Sequence, residues 1–148
     1  ISLNATTNET RSKLMPINDQ YPIEELIEAC RKYPLRPRQK ITFEYILIKG
    51  INDSAEDAKR LIKLLTPVKA KVNLIYFNPY PGTTYERPTK ADMVTFQEYL
   101  IKHGLLCTIR DSKGIDISAA CGQLKEKTEQ GELSSAQERD HLGGAELK

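Results

Sequence analysis

Cysteine is scarce in this chain of 148 residues, and Cys30, Cys107 and Cys121 stand far apart. Zinc and iron–sulfur motifs space their ligands a few residues apart, so no cysteine-based metal site is encoded locally. Nor is there an obvious disulfide framework, which suits a reducing compartment, and a cytoplasmic protein is expected. Long apolar runs are also missing. None approaches the roughly 20 residues that span a bilayer, and no signal peptide is recognisable, so no membrane partner is expected. Charge of one sign is lacking too. Lys and Arg number 22 against 20 Asp and Glu, and a net charge of +2 does not by itself mark a nucleic-acid-binding protein.

What remains is the composition of an ordinary globular domain, 39% hydrophobic and 28% charged, long enough for one core. Ile1 is not an initiator methionine, and Ile1-Ser2-Leu3 reads as the end of a buried strand. The expectation is a fragment whose preceding part is absent.

Strand and helix patterns alternate from there. After Ile1–Leu3 comes a loop rich in Asn and Thr. Pro22–Tyr33 is a helix with Pro22 in its first turn and Ile23, Leu26, Ile27 and Cys30 on one face. The β-branched and aromatic run 41–48 is a strand. Ser54 and Asp57 suit a capping box for a helix to about Leu65, with Ala58, Leu61, Ile62 and Leu65 inward. Lys71–Phe77 is a strand, Pro79–Gly82 a turn-rich loop. Thr89 and Asp92 open a helix with Met93, Phe96, Leu100 and Ile101 inward, ending near Gly104. Leu105–Ile109 is the last strand. Residues 1–124 form one unit. The polar tail 125–148 is expected to be disordered or weakly helical. This alternation predicts an α/β fold with parallel strands and right-handed crossovers.

In such folds functional groups gather at the C-terminal ends of strands. Ser2, Leu3 and Asn4 end the first strand, Asn78 ends the third, and Cys121 follows the last. Hydroxyl, amide and exposed backbone groups there can bond a ligand, although Asn at such positions equally suits loop capping. Cys121 lies between Ala119-Ala120 and Gly122, with Asp116, Lys113 and Arg110 upstream. A reactive cysteine needs access and a polar neighbourhood, whereas a core cysteine sits in an apolar periodic run, as Cys30 and Cys107 do. Arg11, Lys13, Lys49, Arg87, Arg110 and Lys113 follow strand ends and are candidates for phosphate contacts. Arg31, Lys32, Arg36, Arg38 and Lys40 fall at the opposite end and read as a solvated loop. Tyr80 and Tyr85 could stack on bases, but packing of the proline-rich loop is the simpler reading.

Several longer blocks share a family wording. They are Ile1–Ala5, Arg11–Asn18, Ile41–Asp53, Lys71–Gly82 and Asp116-Ile-Ser-Ala-Ala-Cys-Gly-Gln-Leu124. In this order they resemble the RlmN/Cfr family, radical S-adenosylmethionine (SAM) enzymes that methylate adenine carbons in RNA. The resemblance implies the C-terminal half of a partial (β/α) radical-SAM barrel. Half a barrel would leave an open strand edge and an open apolar inner face, so the isolated chain should be marginal or sticky. Ser2-Leu3-Asn4 and Asn78 match positions that contact SAM, Asn4 standing where many relatives carry histidine.

Cys121 resembles the family's methyl-carrying residue, which accepts a methyl group from SAM before that carbon is passed to RNA. A [4Fe–4S] cluster is implied as well, but its CxxxCxxC ligands and the second cysteine of the reaction are absent from this sequence. The implied substrates are 23S ribosomal RNA and transfer RNA, with a reductant for the cluster and a monomeric intact enzyme. The expected activity is methylation at adenine C2, with the chain alone inactive. Alternatives are C8 methylation of the Cfr type, a non-catalytic half-barrel that binds nucleotide or RNA, and a decayed gene remnant, against which the intact blocks argue.

Overall fold

β-Branched and aromatic residues dominate Ile41–Leu47, which forms strand β1, and apolar alternation continues in Ala70–Tyr76 (β2) and Leu106–Arg110 (β3). The computed structural model, which describes residues 1–111, joins these strands in one parallel sheet of order β1-β2-β3. Tyr45 is level with Leu74, and Leu74 with Ile109. On the other edge of β1, Ser2 makes an isolated parallel bridge to Glu44, so the first residues line that edge.

The helices are α1 (Asn8–Leu14), α2 (Ile23–Lys32), α3 (Ala55–Leu65) and α4 (Lys90–Lys102). The last three pack on one face of the sheet. Ile23 and Ile27, Leu61 and Leu65, and Met93, Phe96 and Leu100 join Leu3, Phe43, Tyr45, Leu74 and Tyr76 in one core. Each fully buried large apolar side chain contributes about 1.5–3 kcal/mol. Ser54 with Asp57 and Thr89 with Asp92 close full capping boxes on α3 and α4. Gly104, at φ +86°, turns the chain from α4 into β3.

Three expectations need correction. The Asn- and Thr-rich loop contains α1, capped by the Thr7 hydroxyl, which accepts from the Thr10 N–H. Only Arg11 and Leu14 are buried along it, too few positions to write a helical period. Ile101 is exposed on α4, and the neighbouring Gln97 turns inward to donate to the Cys107 carbonyl at 2.9 Å. The inner face of the sheet is not openly apolar. Ile46, Ile48, Ile75 and Phe77 are covered by Leu14 and Met15 and by Tyr80 and Tyr85. The row across the strands below them is polar: Ser2, Glu44, Asn73 and Thr108 are in register, and Thr108 Oγ1 donates to Asn73 Oδ1 at 3.3 Å. No described helix is long and apolar enough to cross a membrane.

Candidate active site at the strand ends

Parallel strands bring the residues that follow each strand to one edge of the sheet. There the structure gathers Asn4, Lys49, Asn78 and Asp111, together with Glu86 and Arg87 from the loop between β2 and α4. The loop is fixed from below. Tyr80 and Tyr85 both meet the Phe77 ring edge-on, with centroids 6.1 and 6.0 Å away, so the packing reading of these tyrosines is the one observed. The Lys49 N–H bonds the Glu86 carbonyl at 3.1 Å and lays the loop across the exit of β1. The matching ion pair, 3.9 Å long and exposed on both sides, adds little.

Arg87 is the hub of the edge. It donates to Asn78 Oδ1, pairs with Asp111 at 3.2 Å, and lies 4.2 Å over the ring of Tyr76. A planar fork that stacks and donates in two directions suits arginine and not lysine. The Asn78 oxygen thus faces a guanidinium, which fixes the plane of this amide at the strand exit. Asp111 lies 24 positions from Arg87, so no local sequence signal could have named it.

Ser2 and Leu3 divide by face. Leu3 is fully buried among the helices, whereas Ser2 is level with Glu44 on the polar inner row. Asn4 is buried at φ +57°, a left-handed conformation that Asn tolerates better than most residues. Its Oδ1 accepts the Ile46 N–H at 2.9 Å and its Nδ2 points at Met15 Sδ, 3.4 Å away. Both ends of this side chain are therefore turned to the protein's own groups.

Arg11 corrects the list of phosphate candidates. It is buried, and its guanidinium donates to the carbonyls of Leu3 at 3.0 Å and Ser2 at 3.1 Å and to Asn18 Oδ1 at 3.1 Å. It clamps the strand end from inside, and burial lowers its pKa. Lys13, Lys49 and Arg110 are exposed, the first pairing with Glu9. Lys113, Cys121, the limit at Leu124 and the tail 125–148 lie outside the described residues.

A second polar group went unnoticed in the sequence. Thr6 donates to Asp57 Oδ1 at 2.6 Å, and Arg60 donates to Thr6 Oγ1 at 3.0 Å and Asp57 Oδ1 at 2.9 Å. It ties the chain after the first strand to α3. Burial raises the Asp57 pKa, but the bonds from Thr6, Ser54 and Arg60 outweigh it and leave the pKa lowered.

Cys30 and Cys107 are buried in the core, and burial pushes the Cys107 thiol up to about 12. Among the described residues no cluster of His, Cys, Asp or Glu could hold a metal ion. These residues therefore do not fit an iron–sulfur cluster.

Comparisons with known proteins follow the same lines. The chain is 63% identical over 129 residues to the dual-specificity RNA methyltransferase RlmN of Sulfurimonas denitrificans, covering 87% of this chain and 36% of that protein. It is 60% identical to that of Campylobacter curvus, covering 87% and 35%. The chain thus spans about a third of the length of the curated relatives it matches. Among solved structures, a radical SAM methyltransferase from Sphaerobacter thermophilus superposes with TM-score 0.73 at 46% identity, over 83% of this chain and 36% of that one. A domain of pyruvate-formate lyase-activating enzyme from Bacteroides vulgatus, 17% identical with TM-score 0.54, covers 74% of this chain and 65% of its own and shares the fold. No family model matches the chain.

Proposed function

We propose that this chain, which belongs to the RlmN/Cfr family of radical SAM RNA methyltransferases, supplies the SAM-contacting strand ends and the methyl-accepting cysteine of an enzyme acting on RNA. The product is adenine methylated at C2, in 23S ribosomal RNA and in transfer RNA. The C2 reading is favoured over C8 because relatives at 56–63% identity carry the RlmN name. The observation that carries the reading is Asn78, held by Arg87 at the exit of β2 on the edge where the first strand also ends.

The donor set suits SAM. Asn78 brings an amide to the strand exit and Ser2 a hydroxyl on the inner row, groups that can bond the methionine portion and the ribose. Leu3 and Asn4 shape that strand end from within. SAM supplies the methyl group, and Cys121 accepts it: the thiolate bonds the methyl carbon as the carbon–sulfonium bond breaks, leaving S-adenosylhomocysteine. The intact enzyme is a cytoplasmic monomer that draws electrons from a reductant.

The test is a chimera in which this chain replaces the matching segment of the Sulfurimonas denitrificans enzyme. Mass spectrometry of its RNA should find 2-methyladenosine, and Cys121→Ala in the chimera should abolish it. A folded chimera yielding no methyladenosine, yielding the C8 product, or remaining active with Cys121→Ala overturns the reading. The chain alone, which has no CxxxCxxC in its 148 residues, should release no 5′-deoxyadenosine from SAM.

A further inference from the structure

The small net charge hides an uneven distribution. Residues 31–40 hold five basic residues and no acidic one. Arg31 and Lys32 are answered by Glu28 at 2.6 and 3.4 Å. Arg36, Arg38 and Lys40 are exposed and pair with no carboxylate among the described residues. The Ile41 N–H bonds the Lys69 carbonyl at 2.8 Å, which brings Lys40 alongside the equally exposed Lys69. The strand-entry edge is therefore strongly basic. At the opposite edge Lys49 and Arg87 are matched by Glu86 and Asp111.

The loop that carries these charges is also built. The Gln39 N–H bonds the Arg36 carbonyl at 3.0 Å, and the Arg36 N–H donates to the Gln39 side chain at 2.9 Å. Pro37 in the second place and Arg38 at φ +70° in the third are the marks of a type II turn. Glycine or asparagine is favoured at that third place, and an arginine there is strained. Among the described residues no contact of the exposed Arg38 side chain explains the strain, and such outliers cluster at functional sites such as ligand clamps. Tyr33, three positions ahead of the turn, is 63% exposed. Basic groups around an exposed aromatic ring match the phosphates and unpaired bases of RNA.

We infer that Arg36, Arg38, Lys40 and Lys69, with Tyr33 as a stacking ring, form an RNA-backbone contact on the sheet edge opposite the SAM-facing strand ends. The choice of RNA rests on the methyltransferase reading; the surface itself does not. A structured RNA reaching this edge is gripped at two separated places, one for chemistry and one for positioning.

The test measures affinity for an RNA hairpin with an unpaired loop across a salt series, using the chain and the chimera. Arg36→Gln/Arg38→Gly/Lys40→Gln should weaken binding by about tenfold or more and make the log–log salt slope shallower by about two to three. Arg38→Gly alone should weaken binding without lowering Tm, since glycine relieves the turn. Tyr33→Ala should lower affinity and leave the slope unchanged, because stacking releases no counterions. The inference is overturned if the triple variant keeps parental affinity and slope, if the parent binds no RNA even at low salt, or if the edge binds phosphatidylserine vesicles in preference to RNA. Failure of the methyltransferase reading has a different signature, a chimera that makes no methyladenosine while the edge still binds RNA.

Discussion

Asn4 and Asn52 finish, with their side chains, the outer edge of β1 that the first strand leaves uncovered. Backbone pairing runs only as far as the Leu3 N–H on the Glu44 carbonyl, at 3.0 Å, before Asn4 turns the chain away. Beyond it Asn4 Oδ1 takes the Ile46 N–H at 2.9 Å. Asn52 takes the Ile48 N–H at 2.8 Å and donates to the Ile46 carbonyl at 2.7 Å and the Asn4 carbonyl at 2.8 Å. Buried backbone groups need partners, and two amides stand where another strand would.

Replacing either amide strands buried donors. Asn52→Ala should cost about 2–4 kcal/mol and Asn4→Ala about 1–3 kcal/mol. Urea unfolding should show lower midpoints with an unchanged m-value. Because both side chains serve the backbone of Ile46, the double variant should be non-additive. Additive losses, or an Asn52→Ala within a few tenths of the parent, would mean the edge is satisfied in some other way.

Arg11 makes the opposite forecast from a phosphate contact. Arg11→Lys keeps the charge but cannot span the Ser2 and Leu3 carbonyls and Asn18, so stability should fall by about 1–3 kcal/mol. Under conditions where the variant is folded, its salt slope for RNA should match the parent's. A shallower slope with unaltered stability would return Arg11 to the RNA-binding surface.

Asp57 gives stability a pH dependence. Its folded-state pKa lies below the unfolded one, so the unfolded chain takes up the proton first as pH falls. The contribution is complete above the unfolded carboxylate range, near pH 4, and is lost as pH drops through the folded value. Asp57→Asn should lower stability at pH 7 by about 1.5–3 kcal/mol, the range for bonds to a charged group, and flatten the decline on the acid side. Equal acid sensitivity in parent and variant would show that other carboxylates govern it.

Much of this arrangement was legible in the sequence because it rests on local signals. Ser54/Asp57 and Thr89/Asp92 announce α3 and α4 through capping chemistry, and the periods of β1 and β2 place Asn78 at a strand exit. The features that escaped join distant positions. Arg11 looks like a surface cation until its carbonyl partners eight and nine positions back are known. Asn52 looks like a turn residue until Asn4, 48 positions earlier, is beside it. The polar inner row is invisible for the same reason: Glu44, Asn73 and Thr108 meet only through register.

The Cys107 thiol, pushed up to about 12, and Cys30, also raised by burial, should be unreactive at pH 8, where almost no thiolate forms at Cys107. Iodoacetamide on the native chain, followed by peptide mass spectrometry, should leave both unmodified and label them once urea is added. Labelling of Cys107 in the native chain at the rate of a free thiol would place it outside the core.

Asn78 and Arg87 carry the sharpest forecast for catalysis in the chimera. On the proposed reading Asn78→Ala removes a contact to SAM, and one hydrogen bond of about 0.5–1.5 kcal/mol corresponds to a roughly two- to twelvefold rise in KM for SAM. Arg87→Lys leaves Asn78 in place but loses the fork that joins it to Asp111 and the stack on Tyr76. As a positioning residue, Arg87 should then raise KM for SAM in the same direction with kcat little changed, the pattern of weakened ground-state binding. In Asn78→Ala the Arg87→Lys change should add little, because the amide it orients is gone. Full additivity would assign Arg87 its own contact, and an unchanged KM in a folded Asn78→Ala chimera would remove Asn78 from the SAM site.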